Sequence, residues 1–174
     1  RLTASAGPRR SGTPLRMTVP TPAAATPTLH RAWAADLDPA TLYALLALRT
    51  AIFVVEQECA YPDLDGRDPE PGTRHVLLTD DGELVGYARV LDDATTWRVG
   101  RVLLAPAARG RGLADQLVRT ALDVCPDRDV VLDAQSPLTG WYATFGFAPD
   151  GPEFLEDGIP HVPMRRVQES PAGR

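Results

Sequence analysis

The stretch Val102-Leu103-Leu104-Ala105-Pro106, followed by Arg109-Gly110-Arg111-Gly112-Leu113-Ala114, decides the fold. It predicts a strand, a tight turn and a helix that begins on bare backbone. The two glycines leave no side chain between the main-chain amides and whatever lies above them. Because a helix N-terminus carries unpaired N–H groups and partial positive charge, the turn predicts a site for a phosphate or pyrophosphate.

The composition limits the class of protein. The chain has 174 residues, of which 44% are hydrophobic and 6% aromatic, and this suits one α/β domain of ordinary size. All 18 basic residues are arginine, so a single arginine is weak evidence for a site. The net charge of −5 argues against general nucleic-acid binding. No apolar run approaches the roughly 20 residues that span a bilayer.

The cysteines and the acidic motifs do not predict a metal site. Cys59 and Cys125 match no metal or disulfide spacing, so we expect reduced thiols and a cytoplasmic protein. The motif Asp63-x-Asp65-Gly66-x-Asp68 could indicate calcium, but it lacks the loop spacing and the closing glutamate of a calcium loop. Cys59 could act as a nucleophile with His75, an interpretation that no triad-like context supports. We therefore expect no metal.

The chain divides into one domain and two tails. Residues 1–27 are rich in Pro, Ala and Thr without apolar periodicity, which predicts a disordered tail. Residues 168–174 are predicted as a loose C-terminal tail. Residues 28–167 are predicted as a single folded domain.

The predicted element order within this domain is β-α-β-β-β-α-β-α-β-β. Asp38-Pro39 marks the first helix start, and Asp80-Asp81-Gly82 marks a hairpin turn. The order predicts an α/β (mixed α+β) fold in which a central mixed β-sheet is flanked by helices on both faces. Arg49 falls on the apolar face of the first helix. It either pairs with the acidic segment, residues 56–71, or extends to the edge of the helix.

The segment Val102-x-Leu104-x-Pro106…Arg109-x-x-Gly112-x-Ala114 resembles the acetyl-CoA motif of the GNAT N-acetyltransferases. The resemblance implies the GNAT acyl-CoA N-acyltransferase fold, a bulge in the strand before the turn, and acetyl-CoA as co-substrate. It assigns Val102, Leu103 and Leu104 to the pantetheine arm. It assigns Arg109 to cofactor binding. The residues whose amides it assigns to the pyrophosphate are Gly110, Arg111, Gly112, Leu113, Ala114 and Asp115.

A second motif carries the same resemblance. Gln135-x-x-Leu138-x-x-Trp141-Tyr142-x-x-Phe145-Gly146-Phe147 is similar to the family pattern Asn-x-x-Ala-x-x-Phe-Tyr-x-x-x-Gly-Phe. Gln135 replaces the usual Asn as a cofactor-binding amide. Tyr142 falls where the family often has the general acid that protonates the departing CoA thiolate, and a packed core aromatic is the alternative role.

Further segments resemble the ElaA-like branch of the family. They are Leu48-Arg49-x-x-Ile52-Phe53-Val54-Val55-Glu56-Gln57-x-Cys59-x-Tyr61-x-Asp63-x-Asp65-Gly66-x-Asp68, Gly86-Tyr87-Ala88-Arg89, Gly100-Arg101-Val102 and Glu156-Asp157-Gly158-Ile159-Pro160-His161. These segments agree in order and spacing across residues 29–166.

The resemblance implies an enzyme that transfers acetyl from acetyl-CoA to a primary amine by direct attack. Because an acidic wall attracts a cationic amine, we expect Glu56, Asp63, Asp65 and His161 to bind the acceptor. Glu56, His75 and His161 are the candidate bases. Residues 97–101 hold no acid, which favours a base acting through water. We expect a small-molecule or peptide amine as partner, no nucleic acid and no membrane, with a homodimer as an open option.

Two other functions stay open at this point. A non-catalytic acyl-CoA-binding sensor or regulatory module would keep the glycine turn and would not need Tyr142. Nucleic-acid binding through Arg-Gly-Arg-Gly predicts salt-sensitive affinity, and the acidity of the chain disfavours it.

Overall fold

A computed structural model of the chain describes residues 26–168. The predicted tails, residues 1–27 and 168–174, lie outside the described residues apart from residues 26–27 and Gln168.

The described strands form one mixed sheet, in the order β1-β2-β3-β4-β5-β8-β6 with β7 paired to β8. Strands β4 and β5 are parallel, and the other pairs are antiparallel. Their bounds are β1 Thr28–Trp33, β2 Arg74–Asp80, β3 Glu83–Asp92, β4 Trp97–Leu104, β5 Val130–Gln135, β6 Ala148–Pro149, β7 Phe154–Glu156 and β8 Ile159–Arg166. The predicted mixed sheet is confirmed, and β7 is an added strand that the sequence did not predict.

The helices lie on both faces of this sheet, as predicted. They are α1 (Pro39–Arg49), which continues as a π-helical segment, Thr50–Glu56, then α2 (Leu113–Asp123) and α3 (Thr139–Ala143). On one face, α1 and the π-helical segment bury Leu45 and Ile52 against β2, β3 and β4. On the other face, α2 and α3 cover the larger core cluster.

Local sequence signals explain where these elements begin and turn. Asp38 caps α1, because its Oδ1 accepts hydrogen bonds from the amides of Ala40 and Thr41 at 2.9 and 3.0 Å. Asp81 and Gly82 have φ of 52° and 80°, the left-handed pair that a two-residue hairpin turn between β2 and β3 requires. Both predicted boundary signals are confirmed.

One helical stretch in the described part of the chain, Pro39–Glu56, has the length and composition of a membrane span, with 18 residues and a mean hydropathy of 1.4. A core helix of a globular domain has the same properties. Here Leu45 is fully buried on the sheet, and the side chain of Arg49 is fully buried within the domain. Because only 17% of this stretch is buried, we interpret it as a helix that packs one face against the sheet.

Candidate active site

A cavity opens where the two central strands separate. Strands β4 and β5 pair only at Trp97 with Val130 and at Arg98 with Val131, and beyond this point they diverge. The cavity has a volume of about 650 Å³. Its walls come from the loop after the π-helical segment, from β3, β4 and β5, from α3, and from the β7–β8 hairpin.

A bulge in β4 shapes the wall of this cavity. Tyr87 of β3 pairs with Leu103 but Arg89 pairs with Gly100, so β4 has one residue more than β3 over this interval. Arg101 lies in the bulge with φ of 53°. An extra residue reverses the alternation of side chains, so that Leu103 faces the α1 side of the sheet. The bulge implied by the resemblance is present.

The start of α2 has open backbone. Gly112 is the N-cap with φ of 71°, and no side chain caps this end of the helix. A Cβ atom built on Gly110 or on Gly112 would meet nothing within 4 Å. This arrangement of accessible amides at a helix N-terminus fits the pyrophosphate of coenzyme A.

Side chains around this turn hold it in place. Arg109 donates from Nε to the carbonyl oxygen of Leu104 at 3.1 Å, and its Nη2 lies 2.8 Å from a carboxylate oxygen of Glu56. Arg111 pairs with Asp80 at 2.6 Å. In the first turn of α2, Asp115 accepts a hydrogen bond from Trp141 Nε1 at 2.9 Å, which ties α2 to α3. These contacts hold the predicted pyrophosphate residues next to the end of β4.

Among the pantetheine candidates, Val102 lines the cavity, whereas Leu103 is buried against the α1 side. Leu104 is half-buried against the α2 side, at the end of β4.

Tyr142 of α3 also lines the cavity. Its side chain packs beside Trp141 and Phe147, with ring centroids 4.7 and 6.0 Å away. The residue is only 7% exposed, and this burial raises the pKa of the hydroxyl to about 12. No residue in the described part of the chain hydrogen-bonds to this hydroxyl. It is therefore a protonated group available to a ligand.

Gln135 and His161 are register partners on β5 and β8, and both line the cavity. Gln135 Nε2 lies 3.4 Å from the side-chain oxygen of Gln57. His161 Nδ1 lies 2.9 Å from the carbonyl oxygen of Ile159. A carbonyl only accepts, so Nδ1 of the neutral ring carries the proton and Nε2 presents a lone pair. The nearest carboxylate oxygen of Glu156 is 4.0 Å from Nε2.

His75, by contrast, is fully buried away from the cavity wall. Its Nε2 lies 3.1 Å from the carbonyl oxygen of Asp68 and its Nδ1 lies 2.7 Å from the hydroxyl of Tyr87. Because the carbonyl must accept, Nε2 donates and Nδ1 accepts from the tyrosine. Burial lowers the pKa of this imidazole. The geometry gives no support to His75 as a base, or as a partner for Cys59.

The acidic segment is largely neutralised by arginines. Arg49 is fully buried, with Nε 2.8 Å from Asp63 Oδ2, Nη1 2.6 Å from Asp68 Oδ1, and Nη2 donating to the carbonyl oxygen of Asp63 at 2.8 Å. Arg89 pairs with Asp65 and Asp68. The hydrogen bond from Arg89 holds the pKa of the Asp65 carboxyl well below its usual range. Arg49 therefore pairs with the acidic segment, the first of its two predicted arrangements.

This pairing changes the expected role of the acids. Asp63 is 5% exposed and serves the arginine network, and Glu56 pairs with Arg109 outside the cavity wall. Asp65 alone of the predicted acidic acceptor residues lines the cavity. Buried carboxylates need cationic partners, and Asp63 takes them from α1 and β4. The binding of an amine by Glu56, Asp63 and Asp65 stays a prediction.

The cavity also contains charged residues that the sequence did not single out. Arg101, Asp133, Glu156 and Asp157 line it. Two sequence segments could have identified three of these residues. Gly100-Arg101-Val102 and Glu156-Asp157-Gly158 both belong to the segments that resemble the ElaA-like branch. Their meeting in one cavity depends on the β4 bulge and on the unpredicted β7–β8 hairpin. Within residues 26–168, no cluster of three or more His, Cys, Asp or Glu is arranged to hold a metal ion.

Comparisons with known proteins show which family the chain belongs to. Residues 44–167 match the acetyltransferase (GNAT) domain family. The chain is 48% identical over 146 residues to a UPF0039 protein of Mycobacterium bovis, covering 81% of this chain and 94% of that protein. It is 45% identical over 138 residues to protein ElaA of Escherichia coli, covering 75% of this chain and 90% of that protein.

Solved structures show the same fold. An acyl-CoA N-acyltransferase from Pseudomonas aeruginosa superposes with a TM-score of 0.79 at 41% identity, covering 82% of this chain and all of that one. Escherichia coli ElaA superposes with a TM-score of 0.77 at 41% identity, covering 81% and 99% of the two chains. The chain therefore belongs to the GNAT acetyltransferase family, in its ElaA-like branch.

Proposed function

We propose that this chain transfers an acetyl group from acetyl-CoA to a primary amine by direct attack of the amine on the thioester. The observation that carries the proposal is the juxtaposition of an open helix N-terminus at Gly112 with a cavity between β4 and β5 that contains Tyr142. The helix N-terminus suits an anionic cofactor, and the cavity suits the reacting groups.

Backbone groups at the start of α2 and along β4 would hold most of coenzyme A. The amides of residues 110–115 would bind the pyrophosphate, because they point from a helix start that no side chain caps. The β4 backbone near Val102 and Leu104 would run beside the pantetheine arm, and Gln135 would contribute an amide from the opposite strand. The bound thioester would supply the acyl group.

Tyr142 is the proposed proton donor to the leaving sulfur. Its hydroxyl is protonated at neutral pH, lacks a partner among the described side chains and reaches the cavity. A side chain that donates a proton to a leaving group contributes roughly 10²–10⁴-fold to a rate.

His161 is the proposed acceptor of the amine's proton. The contact between Nδ1 and the carbonyl of Ile159 fixes the tautomer, so Nε2 offers its lone pair to the amine or to an intervening water. The carboxylate of Glu156, 4.0 Å away, would stabilise the imidazolium that forms. Glu56 is the weaker candidate, because Arg109 already pairs with it.

The test is a thiol-release assay with acetyl-CoA across a panel of primary amines. We expect amine-dependent release of free coenzyme A and recovery of the N-acetylated amine by mass spectrometry. Saturable acetyl-CoA binding without release of thiol for any amine would contradict the proposal and favour a non-catalytic acyl-CoA sensor.

A further inference from the structure

We propose that the acceptor carries a carboxylate as well as its amine, and that Arg101 binds this carboxylate. The inference rests on the proposed function, because it names the class of amine that the same cavity takes.

Arg101 occupies an unusual position for an arginine. It lies in the β4 bulge with φ of 53°, a left-handed conformation that non-glycine residues rarely adopt. Strained backbone of this kind concentrates at binding sites, and a bulge redirects a side chain out of the strand's alternation. Here the redirected side chain lines the cavity, with 24% of its surface exposed.

The guanidinium of Arg101 has unused donors, unlike that of Arg49. All three nitrogens of Arg49 donate to oxygens of Asp63 and Asp68. Arg101 forms ion pairs with Asp63, whose Oδ1 lies 2.7 Å from Nε, and with Asp65, whose Oδ2 lies 3.7 Å from Nη2. Its hydrogen bond is a 3.2 Å contact from Nη2 to the carbonyl oxygen of Asp63, and Nε makes none. Its Nη1 has no acceptor among residues 26–168. Arg49 is thus a structural group, and Arg101 is a partly satisfied group facing the cavity.

The charges around the cavity select the class of ligand. Equal numbers of arginines and acidic residues line it, and Asp65 and Asp133 pair with Arg89 and Arg98. The β7–β8 hairpin contributes Glu156, Asp157 and His161 to the lining. A cationic amine suits that wall and an anionic group suits the β4 wall that carries Arg101. Because the lining charges balance, a zwitterion with one charge of each sign is preferred over a phosphate dianion.

The experiment compares acceptors in matched pairs, using β-alanine and 4-aminobutyrate, each against its own carboxamide. The wild-type chain should show kcat/KM at least about tenfold higher for the acid than for the amide, the effect of one charge-assisted hydrogen bond. An aminoalkyl phosphate, 2-aminoethyl phosphate, is run against ethanolamine to separate carboxylate from phosphate recognition.

Variants then locate the effect. Arg101→Gln should bring the acid-to-amide ratio close to one, and Arg101→Lys should keep part of it. Arg128→Gln is the matched control and should leave the ratio unchanged, since Arg128 is 23% exposed, pairs with Asp92 and stacks on Trp97 outside the cavity wall. Thermal unfolding of each variant identifies any that fails to fold. In that case the wild-type ratio and its decrease with added salt remain the test.

The outcomes separate the two proposals. Equal turnover of acids and amides by the wild-type chain, or an unchanged ratio in folded Arg101→Gln, overturns the role of Arg101 and leaves acetyl transfer intact. A preference for the phosphate overturns the assignment of a carboxylate. Absence of thiol release with every amine overturns the proposed function, and the inference with it.

Discussion

Replacing Tyr142 by phenylalanine should lower kcat about 100-fold while leaving the fold intact. The substitution deletes one oxygen from a residue that is 7% exposed. That hydroxyl has no hydrogen-bond partner among the described residues, so its loss leaves no donor or acceptor stranded. We therefore expect the free energy of unfolding to change by less than about 1 kcal/mol.

The expected loss of rate follows from the pKa. Burial raises the pKa of Tyr142 from 10.0 to about 12, which makes it a weaker acid than a free tyrosine. Each pKa unit corresponds to about 1.4 kcal/mol. The contribution should therefore lie at the lower end of the usual range for a general acid, with kcat reduced about 100-fold. For the same reason, ionisation of Tyr142 should not lower kcat of the wild-type enzyme at pH 10.

The assay is thiol release at saturating acetyl-CoA, with urea unfolding of the same preparations. Tyr87→Phe is the matched control, because the hydroxyl of Tyr87 lies 2.7 Å from buried His75 Nδ1. Losing this donor should lower the free energy of unfolding by about 1–3 kcal/mol, with little effect on kcat of the folded fraction. If Tyr142→Phe retains wild-type kcat, Tyr142 is a packing residue and its assignment as the acid is wrong.

Two further predictions concern the arginine–aspartate network. Arg49→Met should lower the free energy of unfolding by about 3 kcal/mol, measured by urea titration, because it removes a cationic partner from buried carboxylates. Arg31→Gln breaks an exposed pair with Asp123 and should cost less than about 1 kcal/mol; equal losses in the two variants would refute the reasoning. The pKa of Asp65 is lowered by Arg89, so its contribution to stability is present above the unfolded pKa of about 3.9 and is lost as pH falls below that value. Asp65→Asn should flatten the decline of stability with acid in urea titrations between pH 5 and pH 2, and an unaltered slope would contradict this.

Local signals in the sequence predicted the elements that depend on neighbouring residues. The cap at Asp38, the turn at Asp81-Gly82 and the open helix start at Gly112 each need only a few adjacent residues, and the structure contains all three. The mixed sheet with helices on both faces follows from the order of such elements.

Long-range pairing was less accessible from the sequence. The acidic segment has few bases within it, so it suggested an open acidic surface, yet Arg89 and Arg101 arrive from β3 and β4 to pair with it. His75 looked available as a base because its burial depends on strand register, which composition does not reveal. The position of Glu156 at the cavity depends on the short strand β7, whose three residues give too little periodicity to predict.

The most direct test is calorimetric titration of acetyl-CoA into the wild-type chain and into Gly112→Ala. An alanine at φ of 71° is strained, and its methyl group would occupy open space beside the helix start where the pyrophosphate is proposed to bind, so affinity should fall about tenfold or more. Gly66→Ala is the matched control, because Gly66 has φ of 79° and open space around a Cβ but lies in the acidic segment. We expect one-to-one binding that Gly112→Ala weakens and Gly66→Ala does not. No binding by the wild-type chain, or equal binding by all three proteins, would contradict the placement of the pyrophosphate at this helix start.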